Sequence, residues 1–220
     1  MARHYQLIIF DWDGTLMDSE SKIVRCFEKA CEDVGLSKPD PQTVKDIIGL
    51  SLAGALERLL PGVDPQTRDK VVERYREHFI HLDDTEMGFF PGVLSGLQQL
   101  RDWGYWLAVA TGKARRGLDK LLDEWELHKH FVSTRCADET FSKPHPQMLL
   151  DILEHTGLQA DQAVMVGDTV YDMQMAQQAN MARIAVGYGV QAMARLKTFE
   201  PCQCFDDFNP LLEWFSPNGS

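Results

Sequence analysis

Asp11 and Asp13 stand two residues apart, directly after the short apolar run at residues 7–10 and directly before Gly14. In extended backbone, residues i and i+2 point the same way, so the two acids share one side while Trp12 faces the other. Gly14 lets the chain turn sharply straight after them. Three more places carry reactive side chains: Thr111-Gly112-Lys113, Ser142-Lys143-Pro144-His145-Pro146, and Gly167-Asp168-Thr169 with Asp172 one helical turn later. Brought together, Asp11, Asp13, Asp168 and Asp172 repel one another unless a cation sits among them. Mg²⁺ suits such a set, because it is held by one or two carboxylates plus water and substrate phosphate. A phosphate ester beside it faces Asp11 as a nucleophile, and Lys143 can neutralise charge from the opposite side. The Thr111 hydroxyl and the backbone N–H of Gly112 can hold phosphate oxygens where a helix begins. Asp13 can protonate the leaving alcohol and later activate water.

For these residues to meet, the chain must bring several strand ends to one edge. Residues 7–10 read as a strand buried on both faces of a parallel sheet, and open α/β sheets bind ligands at the carboxyl ends of such strands. Further strands are expected at 105–110, 132–136, 163–166 and 182–186, and near 202–205. Helices are expected at 94–103, 113–125, 146–156, 171–178 and 207–215. This alternation implies an α/β fold, a Rossmann-like doubly wound parallel sheet with helices on both faces. Residues 19–82 break the alternation. Helical spacing runs from a cap at Ser19 to Gly35, then over 42–48, 52–60 and 65–82, with no convincing strand. The expected organisation is a core at 1–16 and 91–220 with an α-helical cap inserted at 17–90.

The 220 residues suffice to bury about 70% of the unfolded surface. A net charge of −11 argues against nucleic acid or an anionic membrane as partner, since both need a basic footprint. No apolar run reaches membrane-spanning length, and the first residues lead into a strand without a signal-peptide pattern. The five cysteines are odd in number and scattered, so no disulfide framework is implied, and Cys202 and Cys204 lack partners for a zinc site. A cytoplasmic protein is expected; monomer and homodimer stay open.

In chain order, Asp-Trp-Asp-Gly-Thr, Thr-Gly-Lys, Lys-Pro-x-Pro and Gly-Asp-Thr-x-x-x-Asp resemble the four motifs of the haloacid dehalogenase-like hydrolase superfamily. The resemblance extends from Leu7 to about Gly189, is strongest to the phosphoglycolate phosphatase-like branch, and includes that family's small helical cap. It implies Asp11 as nucleophile, Asp13 as acid/base with its backbone carbonyl also on the metal, and Asp168 as the acidic Mg²⁺ ligand. It further implies Thr111 and Lys143 as phosphate binders, with Asp172 orienting Lys143 or a metal-bound water. The acid at position 13 disfavours carbon–halogen cleavage, and Gly-Asp-Thr in place of Glu-Asp-Ser disfavours phosphomutase. The expected activity is Mg²⁺-dependent hydrolysis of a small organic phosphate such as phosphoglycolate. Pyrophosphatase and nucleotide phosphatase are the alternatives within the class, and a phosphate-dependent binding module is the non-enzymatic one.

Several positions carry two readings from sequence. Thr111 serves equally as a helix N-cap. Lys113, Arg115 and Arg116 either answer a phosphate at a helix start or form a solvated face. Tyr188 either borders the pocket or belongs to a turn between Gly187 and Gly189. Specificity contacts are sought at the Gly49-Leu50-Ser51 turn and the linkers at 17–19 and 88–90, because a cap closing on the site touches the leaving group.

Overall fold

The computed structural model describes residues 5–217. The first residues of the expected leaderless start, and the extreme ends of the expected core, lie outside the described residues. β1 (Leu7–Phe10) lies at the centre of a six-stranded sheet. It is flanked by β4 (Trp106–Thr111) and β6 (Ala163–Gly167). Outside these lie β5 (Ser133–Cys136) on one side, then β7 (Ala182–Val186) and β8 (Gln203–Phe205) on the other. The order is β5-β4-β1-β6-β7-β8, with each neighbouring pair parallel. Such strands need covered faces and crossover helices, and both are present.

The period of two along β1 divides the core. Ile8 and Phe10 face α5 (Val93–Asp102), α6 (Arg115–Glu124) and α10 (Phe208–Phe215), whose Leu97, Leu118 and Phe215 fill that layer. Leu7 and Ile9 face α7 (Gln147–Thr156) and α8 (Val170–Gln178) through Met148, Ile152 and Met175. With every β1 side chain fully buried, a one-residue slip would exchange both layers.

The segment after β1 is helical: α1 (Glu20–Asp33), α2 (Pro41–Ile47), α3 (Leu52–Leu59) and α4 (Pro65–Glu77). These share their own apolar cluster, including Phe27, Val44, Leu56 and Val71, and Tyr171 of α8 joins it from the sheet side. Asp40, Ser51 and Asp64 cap α2, α3 and α4 through side-chain acceptors. The helix expected to run to residue 82 is α-helical only to Glu77 and continues as a π-helical turn over His78–Leu82. The two crossings between this segment and the sheet are tied by β2 (Met17–Asp18), antiparallel to β3 (Gly88–Phe89). Strands of two residues carry no periodicity, which is why none was expected there.

The helical segment is fastened to the sheet side by polar contacts. The Tyr171 hydroxyl donates to the Asp46 carbonyl at 2.7 Å and accepts from Arg58 Nη1 at 2.9 Å. Ser51 N donates to Ser142 Oγ at 2.8 Å. Arg195 of the short α9 (Met193–Leu196) pairs with Asp46. All five cysteines are free, and no helix among the described residues is long and apolar enough to cross a membrane.

Candidate active site

The three central strands end in register. Phe10 lies opposite Val109 on β4 and Val166 on β6, so the next residues of each strand emerge together at the carboxyl edge. Asp11 N still donates to the Val166 carbonyl at 3.0 Å, holding the acid's backbone to the sheet. The chain then folds back, with Leu16 N and Met17 N both reaching the Trp12 carbonyl at 3.0 Å. Gly14 makes this turn at φ +80°, and a Cβ there would lie 2.2 Å from Asp168 Oδ2. Glycine is required both for conformation and for close approach.

Asp11, Asp168, Asp172 and Lys143 form one buried group. Lys143 Nζ stands 2.7 Å from Asp11 Oδ1 and 2.7 Å from Asp172 Oδ1. Trp12 N also donates to Asp11 Oδ1, at 2.7 Å. Asp168 accepts from the Thr15 hydroxyl and from Val190 N, each at 2.8 Å. Asp172 Oδ2 accepts from Thr169 N and Thr169 Oγ1, at 3.0 and 2.6 Å, in a capping box that opens α8. Gly167 is as tightly placed as Gly14, since a Cβ there would lie 2.4 Å from Asp172 Cβ.

The electrostatics of this group call for one more positive charge. Burial pushes the Asp11 carboxyl well above its usual range, the Asp172 and Asp168 charges add to this, and Lys143 opposes it. Asp168 is pushed up to about 7, by burial first and then by Asp172. Burial acts to lower Lys143, yet the two carboxylates it bridges outweigh that and hold it charged. Asp11 Oδ2 is buried without a hydrogen-bond partner. One carboxylate oxygen each from Asp11, Asp168 and Asp172 lies within 4.8 Å of the others. A hard, oxygen-liganded divalent cation fits this set: bound there, it would give the orphaned oxygen a partner and relieve the mutual repulsion.

Asp13 lies apart from that group. Its Oδ1 accepts from Ser19 Oγ at 2.5 Å and pairs with Lys113 Nζ at 2.9 Å. Ser19, expected to cap α1, makes no side-chain cap bond and serves Asp13 instead. Thr111 ends β4 fully buried, with its Oγ1 accepting from Lys113 N at 3.2 Å. It is not the cap of α6, whose N-cap is Ala114. Gly112 sits against the helical segment, where a Cβ would lie 2.5 Å from the carbonyls of both Gly49 and Leu50. The Gly49-Leu50-Ser51 turn therefore closes directly over the Thr111-Gly112 loop.

Lys113 turns inward to Asp13. Arg115 turns away, binding Glu139 and Thr134. Tyr188 donates to the Thr15 carbonyl at 3.0 Å and packs edge-on against Phe90, next to the turn that carries the acids. Trp12 points into the apolar layer against Phe89 and Phe131. Sequence reasoning assigned no role to Thr15, Val190 or Phe79. Thr15 lies inside the first motif, but nothing in spacing foretells that its hydroxyl reaches Asp168 across 153 residues of chain.

The haloacid dehalogenase-like hydrolase family model matches residues 8–186. The chain is 37% identical over 210 residues to a probable phosphatase IndB of Dickeya dadantii, an alignment covering 94% of this chain and 91% of the relative. It is 28% identical over 218 residues to a phosphoglycolate phosphatase of Psychrobacter arcticus, covering 95% of each. The fold superimposes with a TM-score of 0.87 on the crystal structure of a putative haloacid dehalogenase-like hydrolase from Bacteroides fragilis. That alignment covers 94% of this chain and 99% of the other, at 22% identity. With its strand-end motifs assembled at one edge and the family pattern spanning most of its length, the chain belongs to the haloacid dehalogenase-like hydrolase family.

Proposed function

We propose that this protein is a Mg²⁺-dependent phosphatase that hydrolyses a small organic phosphate monoester, phosphoglycolate or a metabolite like it, through phospho-Asp11. The observation that carries this reading is the Asp11 carboxylate: held at Oδ1 by Lys143 and Trp12 N, and open at Oδ2 in a buried acid cluster. Asp11, Asp168 and the Asp13 backbone carbonyl are the metal ligands in this reading, with Asp172 holding Lys143. A divalent cation bound there supplies charge neutralisation for the phosphoryl oxygens and the attacking carboxylate.

The chain's own residues do the rest. Lys143, the Thr111 hydroxyl and the Gly112 N–H bind the phosphoryl oxygens. The Asp11 carboxylate attacks phosphorus, and the ester oxygen departs with a proton from Asp13. Asp13, now a carboxylate, takes a proton from water as that water attacks phosphorus, which returns Asp11 free and releases phosphate. The Gly49-Leu50-Ser51 turn keeps bulk water out during the first half. The free cysteines support a cytoplasmic setting.

The test is phosphate release from a panel of small esters, with and without Mg²⁺, for wild type and Asp11→Asn. Turnover that requires Mg²⁺ and disappears in Asp11→Asn is the expected result. Turnover surviving in the variant would contradict the assignment of Asp11.

A further inference from the structure

Around the Asp13 side chain stands a set of groups that the hydrolytic steps do not use. Lys113 arrives from the loop after β4, and its side chain is only 9% exposed. Its ammonium lies 4.9 Å from the centroid of the Phe79 ring, which belongs to the π-helical turn after α4. Lys22 of α1 stands 5.6 Å from the same ring, donating to the carbonyls of Asp83 at 2.9 Å and Thr85 at 3.3 Å. Tyr75 stacks on Phe79 with ring centroids 5.7 Å apart. Burial, with Asp13 and Cys26 nearby, pushes the Tyr75 hydroxyl up, so Tyr75 also belongs to the surroundings of Asp13. Phe79 sits in the π-helical turn at residues 78–82; such local π geometry is frequent at functional sites.

If Asp13 gives its proton to the departing oxygen, whatever that oxygen carries must lie beside Asp13, against Lys113 and Phe79. Of the three N–H donors on the Lys113 ammonium, one goes to Asp13. A neutral alcohol gives the others nothing better than water. An anionic substituent receives charge-assisted hydrogen bonds in a place largely shielded from solvent, where they are strongest. We propose that Lys113, set over Phe79 with Lys22 near the same ring, is the specificity-determining residue for the leaving group. It selects phosphate esters whose alcohol carries a second anionic group a few bonds from the ester oxygen. The inference rests on the phosphatase reading above and deepens it.

The test compares kcat and KM for four esters in wild type, Lys113→Met and Lys113→Arg. Phosphoglycolate carries a carboxylate, ethane-1,2-diol bisphosphate a second phosphate, and ethyl phosphate neither; p-nitrophenyl phosphate reports hydrolysis independently of alcohol recognition. Wild type is expected to prefer at least one anionic ester over ethyl phosphate. Lys113→Met is expected to shrink that preference by about 10- to 100-fold, mainly through KM, beyond any loss common to all esters. Lys113→Arg is expected to restore most of it. The anionic ester that loses more identifies the anion. An equal loss on every ester would overturn the proposal, since Lys113 would then act only on Asp13. So would a wild type without preference. Activity on p-nitrophenyl phosphate alongside either of those results removes the subsite alone; no activity on any ester removes the phosphatase reading as well. Lys22→Gln, outside the core loop, carries the same test should Lys113→Met fail to fold, with a preference reduced about 3-fold.

Discussion

Asp11 and Asp13 are two residues apart, yet they belong to differently built regions. Around Asp11 every partner comes from the sheet side: Lys143, Asp172, Trp12 N and, through Asp168, Thr15 and Val190 N. Around Asp13 the partners come from both sides of a seam, Lys113 from the sheet side and Ser19 and Phe79 from the stretch that leads into and forms the helical segment. The first region draws on no side chain of the helical segment; the second also draws on Ser19 and Phe79. In the proposed mechanism the nucleophile and the cation-binding acids lie in the first region, on donors that need no reorganisation. The second region joins the proposed acid/base, Asp13, to the helical segment, and leaving-group recognition is proposed there.

The strongest way to break this division is Lys143→Met. It leaves Asp11 and Asp172 buried without their shared cation, and kcat is expected to fall at least about 100-fold on every ester alike. A drop in Tm should accompany it, since unpairing a buried charge costs about 3–5 kcal/mol. An ester-selective loss, the pattern expected of Lys113→Met, would erase the distinction. Next is Gly14→Ala, where the new methyl would meet Asp168 Oδ2 and the φ of +80° disfavours any side chain. The variant is expected to lose the rise in Tm that Mg²⁺ gives wild type, a stabilisation of about 2.7 kcal/mol when the ion is at a hundred times its Kd. Retained Mg²⁺ stabilisation would remove Asp168 from the metal site.

Gly112→Ala acts on the seam. A Cβ there meets two carbonyls of the Gly49-Leu50 turn, so the helical segment must back away from the loop. KM is expected to rise about 10-fold, with Tm and Mg²⁺ stabilisation little changed, because the acid cluster is untouched. The smallest effect belongs to Tyr171→Phe, which removes the hydrogen bonds to Asp46 O and from Arg58. At about 1 kcal/mol, it should raise KM by a few-fold at unchanged Mg²⁺ dependence. Steady-state kinetics and thermal melts with and without Mg²⁺ check both.

The core was legible in the sequence because its signals are local. Apolar runs at 7–10 and 163–166 read directly as strands, and acids or hydroxyls at their ends marked the edge where ligands bind. Asp11, Lys143, Asp168 and Asp172 do meet there, as three of the widely spaced motifs suggested. The seam was less legible because its contacts join distant residues through side chains. Lys113 stood undecided between a phosphate contact and a solvated face, and only the fold turns it inward to Asp13. Phe79 lay within the helical spacing expected over 65–82, since a π-helical turn leaves no mark on residue periodicity. Ser19 looked like a helix cap because serine before a helix commonly is one, and nothing local signals that Asp13 takes its hydroxyl instead.

The central claim is that Asp11 carries the phosphoryl group between the two half-reactions. The direct measurement is to quench turnover of a small ester in acid after milliseconds, digest the protein and weigh the peptide that contains Asp11. The expected result is a phosphoryl adduct on Asp11 that hydroxylamine removes, that forms only with Mg²⁺, and that is missing in Asp11→Asn. Burst-free turnover with no adduct at any quench time, together with inversion of configuration at a chiral phosphorus, as a single displacement by water requires, would contradict it.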